Sequence, residues 1–229
     1  GLISIFLPKG VIKSSFVCLV PVIALLVLLN GGWDDGFKVQ FLDLELNFMR
    51  VDKLSTVFGI IFCIAAFLGN IFAFHLREST QPFVALIYSG AAIGAVFAGD
   101  LVTLFVYWEL TAISSVFLIW ARKTEGAYHS GMRYLIIQVL SGVVLLFGVA
   151  LFYFEKGSIS FSKMELDSLA TALIFVAFGI KCAFPFLHNW LQDSYPSATI
   201  TGTVILSAFT TKLCLLYTSD AADERSSVD

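Results

Sequence analysis

The chain carries little charge for its length. Lysine, arginine, aspartate and glutamate make up 14% of 229 residues, the formal net charge is −3, and no polybasic block occurs. That balance suits neither a nucleic-acid partner nor a purely electrostatic contact with a membrane surface. Histidine is scarce: His75, His129 and His188 do not share a helix, so no haem or metal pairing is expected of them. Cys18, Cys63, Cys182 and Cys214 fall one per apolar stretch, without the paired spacing of a disulfide or zinc framework, and read as packing residues. A glycine-rich phosphate loop, a CxxC pair, HExxH and catalytic-triad spacing are all missing. The expectation is a chain that binds no cofactor or metal and performs no enzymatic step itself. Residues 1–10 have no initiator Met, no basic n-region and no small-residue cleavage site, and so read as chain already cut rather than as a signal peptide.

What is abundant is apolar sequence. At 58% hydrophobic residues and a mean hydropathy of +0.88, the chain is too oily for a water-soluble domain. An all-α polytopic membrane protein is the predicted class. A helix needs about 20 apolar residues to cross about 30 Å of hydrocarbon. On that ruler the sequence holds seven candidate spans, at 14–30, 54–76, 82–99, 101–121, 132–154, 168–187 and from 198 onward. Only Gly99 and Asp100 join the third and fourth, which makes these helices antiparallel neighbours and puts Asp100 at the interface. Between the first two spans, 31–53 alternates in part (VQFLDLELNF), as a short β-hairpin or a surface loop would. If every span crosses, Lys9, Lys13, Arg77, Arg122, Lys123 and Arg133 share one side, and the positive-inside rule makes that side cytoplasmic.

Within this oil a few charges stand out. Glu109 lies inside the apolar run 101–120, with no basic residue nearer in sequence than Arg122. An acidic side chain at the bilayer centre costs roughly 3 kcal/mol on insertion scales, so such residues usually mark ion paths or proton relays. Burial disfavours the charged form of a carboxyl and a neighbouring cation favours it, so moving the cation switches proton affinity. Capping a neighbouring helix, or closing one structural ion pair, is the plainer alternative for Glu109. Lys181 supplies the opposite charge in the run 168–187, roughly 20 Å along a helix that rises 1.5 Å per residue. A buried lysine can release its proton, which arginine does not readily do. Its plainer role is snorkelling to an interface. Lys212, in SAFTTK, would again lie near mid-membrane if the last span is helical.

Pro185 follows Lys181 in GIKCAFPFLHNW. Proline removes a backbone donor and clashes with the carbonyl four residues back, here that of Lys181, so a break is expected beside the lysine. Irregular backbone at membrane depth is tolerated where protein or water surrounds it, and broken helices recur at ion sites. His188, just past the break, has the side chain that titrates nearest neutrality, although a lone histidine there also suits an interface. His75 and His129 sit at span ends and read as interfacial. Gln138, Ser141, Thr111, Ser114, Ser115, Thr199, Thr201, Thr203, Ser207, Thr210 and Thr211 are polar stepping stones for a relay. Helix packing uses the same residue types without any transport.

Three stretches together resemble a known family. GDLVTLFVYWELTAISSVFLIW, GIKCAFPFLHNWLQDSYPSATITGTVILSAFTTK and the shorter VDKLSTVFG are similar to the antiporter-like proton-conducting membrane subunits shared by Mrp-type cation/proton antiporters and respiratory NADH:quinone oxidoreductase. The resemblance runs from about Val51 to Lys212. It implies that Glu109 is the glutamate of the family's fifth helix, that it pairs with Lys181 on a broken seventh helix, and that Lys212 of the eighth passes protons onward. The seven spans become helices 2–8, with helix 7 broken near Pro185. Residues 1–13 are then the tail of a truncated first helix, 14–81 two N-terminal spans with the 31–53 loop, and 82–213 the first of two inverted five-helix repeats.

HNWLQDSYPSATITGTV departs from the HxWLPDAxPxAPTxxS pattern of the respiratory branch, with Gln192 in place of proline and Thr201-Gly202 at a Pro or Ser position. The wording is similar to D-type subunits of the Mrp branch. From Cys214 the sequence CLLYTSDAADERSSVD turns polar in mid-span, and CLLYTSDAADE resembles a translated transposase adapter, so 214–229 is expected to be non-native. The expected function is a proton-conducting subunit of a multisubunit monovalent cation/proton antiporter in the cell inner membrane. Glu109, Lys181, His188 and Lys212 form its relay, sodium is the exchanged cation, and other membrane subunits and the lipid bilayer are its partners. A proton-translocating subunit of a redox complex and a passive membrane scaffold are the alternatives.

Overall fold

The computed structural model describes residues 11–31, 37–41, 44–76, 80–161 and 164–213. Of the expected tail of a first helix, 1–13, residues 1–10 lie outside them, as does the segment 214–229 with Cys214, while 11–13 belong to the first described helix. The described chain is a helical bundle with one small hairpin. Its helices are α1 (Val11–Asn30), α2 (Lys53–Phe72, extended by a 3-10 turn over Ala73–His75), α3 (Thr80–Val96), α4 (Leu101–Trp120), α5 (Glu125–Lys156), α6 (Leu169–Lys181), α7 (Asn189–Ser194) and α8 (Ile200–Phe209). The hairpin strands are β1 (Lys38–Phe41) and β2 (Leu44–Asn47).

Four helices, α1, α2 with its 3-10 turn, α4 and α5, are long and apolar enough to cross a membrane, while α3, α6 and α8 are shorter apolar segments. Twenty residues of α4 rise about 30 Å, the thickness of the hydrocarbon. With 32 residues α5 reaches well past it and starts seven residues before the expected span. Local chemistry explains the early start: Thr124 accepts from the Ala127 amide at 3.2 Å, and Glu125 complements the helix N-terminus. Gly157 ends the helix in a left-handed cap.

α1 exposes Leu19, Ile23, Leu26 and Leu29, as a lipid-facing helix does. Its Pro21 lacks an amide, which frees the Val17 carbonyl one turn back. Asn70 Nδ2 of α2 donates to that carbonyl at 3.1 Å, so the freed acceptor becomes an interhelical bond. α3 is the most enclosed helix, and its buried Ala85, Ala91, Ala92 and Ala95 allow close approach of its neighbours.

The hairpin pairs antiparallel, Lys38 opposite Asn47 and Phe41 opposite Leu44, within the loop where alternation suggested it. It docks on the α3–α4 turn through Gly99 N to the Asn47 carbonyl, 2.9 Å, and Asn47 N to Asp100 Oδ2, 2.7 Å. Asp100 also caps α4, accepting from Thr103 N and Thr103 Oγ1 at 2.7 Å each. At this turn between two spans Asp100 is 2% exposed, covered by the hairpin and the strand-like contact with Ser160.

Candidate functional site between α4, α5 and α6

A Ser168 capping box starts α6, which ends at Lys181 after 13 residues, about 20 Å and too short to cross. Cys182 is its C-cap, and Ala183 and Phe186 adopt positive φ of 58° and 72°, left-handed conformations that cost non-glycine residues about 1–2 kcal/mol each. The break therefore falls at the lysine itself, a turn ahead of Pro185. Trp190 Nε1 of α7 donates to the Ile180 carbonyl at 2.9 Å, satisfying one acceptor the broken helix leaves open.

Lys181 is 1% exposed. Its Nζ donates to the Trp108 carbonyl and to Thr111 Oγ1, at 3.2 Å each, and lies 4.7 Å from the centre of the Trp108 ring. The indole is held in turn: its Nε1 donates to Ser141 Oγ of α5 at 3.1 Å, and Phe178 packs against it edge-on, 5.0 Å between centroids. Fully inside the protein, the ammonium is thus seated by a carbonyl, a hydroxyl and a π face, all from one turn of α4.

Glu109 is the next residue after Trp108 and is half-buried. Its Oε1 is enclosed and accepts no hydrogen bond among the described residues. That oxygen presses on Gly142 of α5, where a Cβ would overlap it. Lys181 acts on the carboxyl electrostatically. The structure therefore places together the two charges that stood out in the apolar runs.

The other two candidates sit differently. Lys212 is exposed, beyond the end of α8, with its Nζ 3.3 Å from Thr211 Oγ1. His188 is half-buried as the N-cap residue of α7 and its side chain makes no capping bond. His75 donates from Nδ1 to the Phe72 carbonyl at 2.9 Å, and exposed His129 lies 3.9 Å from Glu125, both at helix ends as expected.

Beyond Lys181 a narrow interior cleft of about 210 Å³ is lined by Tyr88, Thr111, Tyr134, Phe209 and Thr210 among others, too tight for water. Two lining tyrosines make direct hydroxyl contacts, Tyr88 with Thr210 at 2.5 Å and Tyr134 with Ser115 of α4 at 2.7 Å. Sequence reasoning singled out Thr111, Ser115 and Thr210 but missed Trp108, Tyr88, Tyr134 and Gly142. A tyrosine hydroxyl deep in an apolar run is the same signal as Glu109, only weaker. Nothing local marks Gly142.

The basic end of the bundle is clamped separately. Arg133 of α5 holds Asp193 of α7 through Nε at 2.7 Å and Nη2 at 2.6 Å, and Ser130 donates to the Asp193 carbonyl at 2.8 Å. Arg122 reaches the Pro196 carbonyl. α7 and the start of α8 are thereby tied to the α4–α5 turn.

Fold and site define a multi-pass helical membrane protein with opposite charges in its interior, one of them at a helix break. Residues 98–220 match the family described as NADH:quinone oxidoreductase/Mrp antiporter, TM, over more than half of the sequence, and the chain belongs to that family, whose members are antiporter-like membrane subunits. It is 28% identical over 185 residues to a polypeptide of the Na(+)/H(+) antiporter of Alkalihalophilus pseudofirmus, covering 72% of this chain and 23% of that protein. It is 27% identical over 218 residues to NAD(P)H-quinone oxidoreductase subunit 2 of Rippkaea orientalis, covering 84% and 40%. A putative antiporter subunit mnhD2 of Staphylococcus aureus is 28% identical over 195 residues, covering 80% and 38%. The chain thus spans 40% or less of the length of these relatives. The Mrp complex of Dietzia sp. contains a chain with the same fold, TM-score 0.75 at 21% identity, covering 88% of this chain and 42% of that one. So does respiratory complex I of Thermus thermophilus, TM-score 0.74 at 20% identity, covering 90% and 46%.

Proposed function

We propose that this chain is the proton-conducting part of a multisubunit monovalent cation/proton antiporter of the Mrp D type, with sodium as the exchanged cation. The observation that carries the reading is the burial of Lys181 at a helix end, one residue of α4 away from Glu109. An interior ammonium is costly, and a protein that only needed packing would place an apolar side chain there. Because Lys181 is the last residue of α6, its stem can move without unwinding the helix. When the ammonium leaves its seat at Trp108 and Thr111, the carboxylate loses the cation that favours its charged form, and a proton is taken up there. Return of the ammonium expels it. Repeated displacement moves protons stepwise.

Residues 82–213 serve on this reading as the first five-helix repeat. The hydroxyl cleft leads from Lys181 to Thr210, two residues before Lys212, which supports an exit at that end of α8, with His188 flanking the break. The complex lies in the cell inner membrane, with Arg122, Lys123 and Arg133 facing the cytoplasm by the positive-inside rule. Likeness to a quinone oxidoreductase subunit favours one other reading, the same relay in a redox complex.

The test uses the full-length subunit with its partner subunits in vesicles. A sodium gradient should move protons without an electron donor. Glu109→Gln and Lys181→Ala should each abolish this with normal assembly. Proton movement that requires NADH and quinone would support the redox complex instead. Undiminished exchange in both variants would leave only a scaffold.

A further inference from the structure

Gln138, on α5, is 0% exposed, and neither its amide nitrogen nor its amide oxygen finds a hydrogen-bond partner among the described residues. Buried amides are nearly always satisfied, and an apolar side chain of the same shape would be cheaper to bury. A glutamine kept in that state needs a reason. α4 and α5 run antiparallel in a register set by two side-chain bonds, Tyr134 to Ser115 and Trp108 to Ser141. Gln138 lies between Tyr134 and Ser141 on the same face of α5, one helical turn from each, and so stands level with Thr111. Thr111 is where the Lys181 ammonium ends. One turn further along α5 is Gly142, against which the unpartnered Glu109 Oε1 rests.

We propose that Gln138 is a positioning residue for the Lys181–Glu109 pair, a second seat used when the ammonium leaves Trp108 and Thr111. A carboxamide suits both ends of such a pair, because its oxygen accepts from an ammonium and its NH2 donates to a carboxylate. Being neutral, the amide holds either group without fixing its charge, so the proton stays with the pair. The inference rests on the relay proposed above and adds a residue to it.

Two substitutions test it in the assembled complex in vesicles, beside Glu109→Gln as control. Gln138→Met keeps shape and removes both hydrogen-bonding ends; Gln138→Asn keeps the amide on a shorter stem. Exchange should fall about tenfold or more in Gln138→Met, the rate equivalent of one hydrogen bond to a charged group, with assembly and Tm unchanged or raised. Gln138→Asn should retain at least about a third of the parent rate. Exchange within about twofold of the parent in Gln138→Met overturns the proposal, and so does equal loss in both variants, which would make shape the requirement. If Glu109→Gln is inactive in that experiment, the relay stands without Gln138; if Glu109→Gln is fully active, the relay itself falls. The unaltered complex gives a reading that depends on no variant. Cryo-EM maps at acid and alkaline pH should show Lys181 or Glu109 within hydrogen-bond distance of Gln138 in one state, and an unpaired Gln138 in both overturns the proposal.

Discussion

Lys181 donates a hydrogen bond to the backbone of Trp108 and lies over the ring of that same residue, with Nζ 3.2 Å from the carbonyl and 4.7 Å from the ring centre. One aromatic residue of α4 therefore seats the buried cation of α6, and Glu109 is its immediate neighbour. The ring is the part a substitution can remove, because the carbonyl survives any side chain. Trp108→Phe should retain more proton exchange than Trp108→Leu, since a desolvated cation–π contact contributes about 2 kcal/mol and Phe keeps a π face. Exchange rates of the two assembled variants, measured side by side, decide this.

Gly142→Ala offers a cleaner separation of stability from function. On an isolated helix the change favours folding by up to about 1 kcal/mol. Here the new Cβ would occupy the place of Glu109 Oε1. The expected outcome is normal or improved assembly together with exchange reduced about tenfold or more, the rate equivalent of about 1.4 kcal/mol. Unchanged exchange would show that the carboxyl has another place to go.

Tyr88→Phe removes one hydroxyl from the cleft beyond Lys181 and leaves the ring that packs against Phe209. Thr210 Oγ1 still donates to the Leu206 carbonyl at 2.8 Å. The stability cost should be about 1 kcal/mol, that of one neutral hydrogen bond. If protons pass through these hydroxyls, exchange falls several-fold, well beyond what the small drop in Tm accounts for; a loss of exchange only in step with assembly would make the bond structural only.

Asp100 ties the α3–α4 turn to the hairpin, and a role in stability is expected of it. Asp100→Ala removes an α4 cap, the bond to Thr103 Oγ1 and the tie to Asn47 of the hairpin. A loss of about 2–4 kcal/mol is expected, visible as a lower Tm of the complex. Asp100→Asn, which retains one acceptor oxygen, should fall between. Exchange per assembled complex should be preserved in both.

How much of this was legible beforehand follows from the kind of signal each residue gives. Glu109 and Lys181 are conspicuous because charge in an apolar run is expensive wherever its partners lie. The helix break was legible from Pro185, although its position, at Lys181, depended on where the backbone could turn left-handed. The hairpin showed in its alternation. By contrast, the extra turns of α5 rest on a cap at Thr124 that hydropathy does not weigh. Lys212 was legible as a charge in the last span, whereas its placement past the end of α8, with the side chain exposed, came only from the fold.

By itself the sequence determined the medium, the approximate spans, the family resemblance and the two charges that had to be explained, because each depends on composition or on residues close along the chain. Tertiary structure alone decided that Lys181 is seated on Trp108, that Gly142 makes room for Glu109, that Gln138 stands level with Thr111, and that Tyr88 meets Thr210. The physical reason is rotational. Residues on a helix point in every direction around its axis, and only the packing of α4 against α5 and α6 selects which of them face one another.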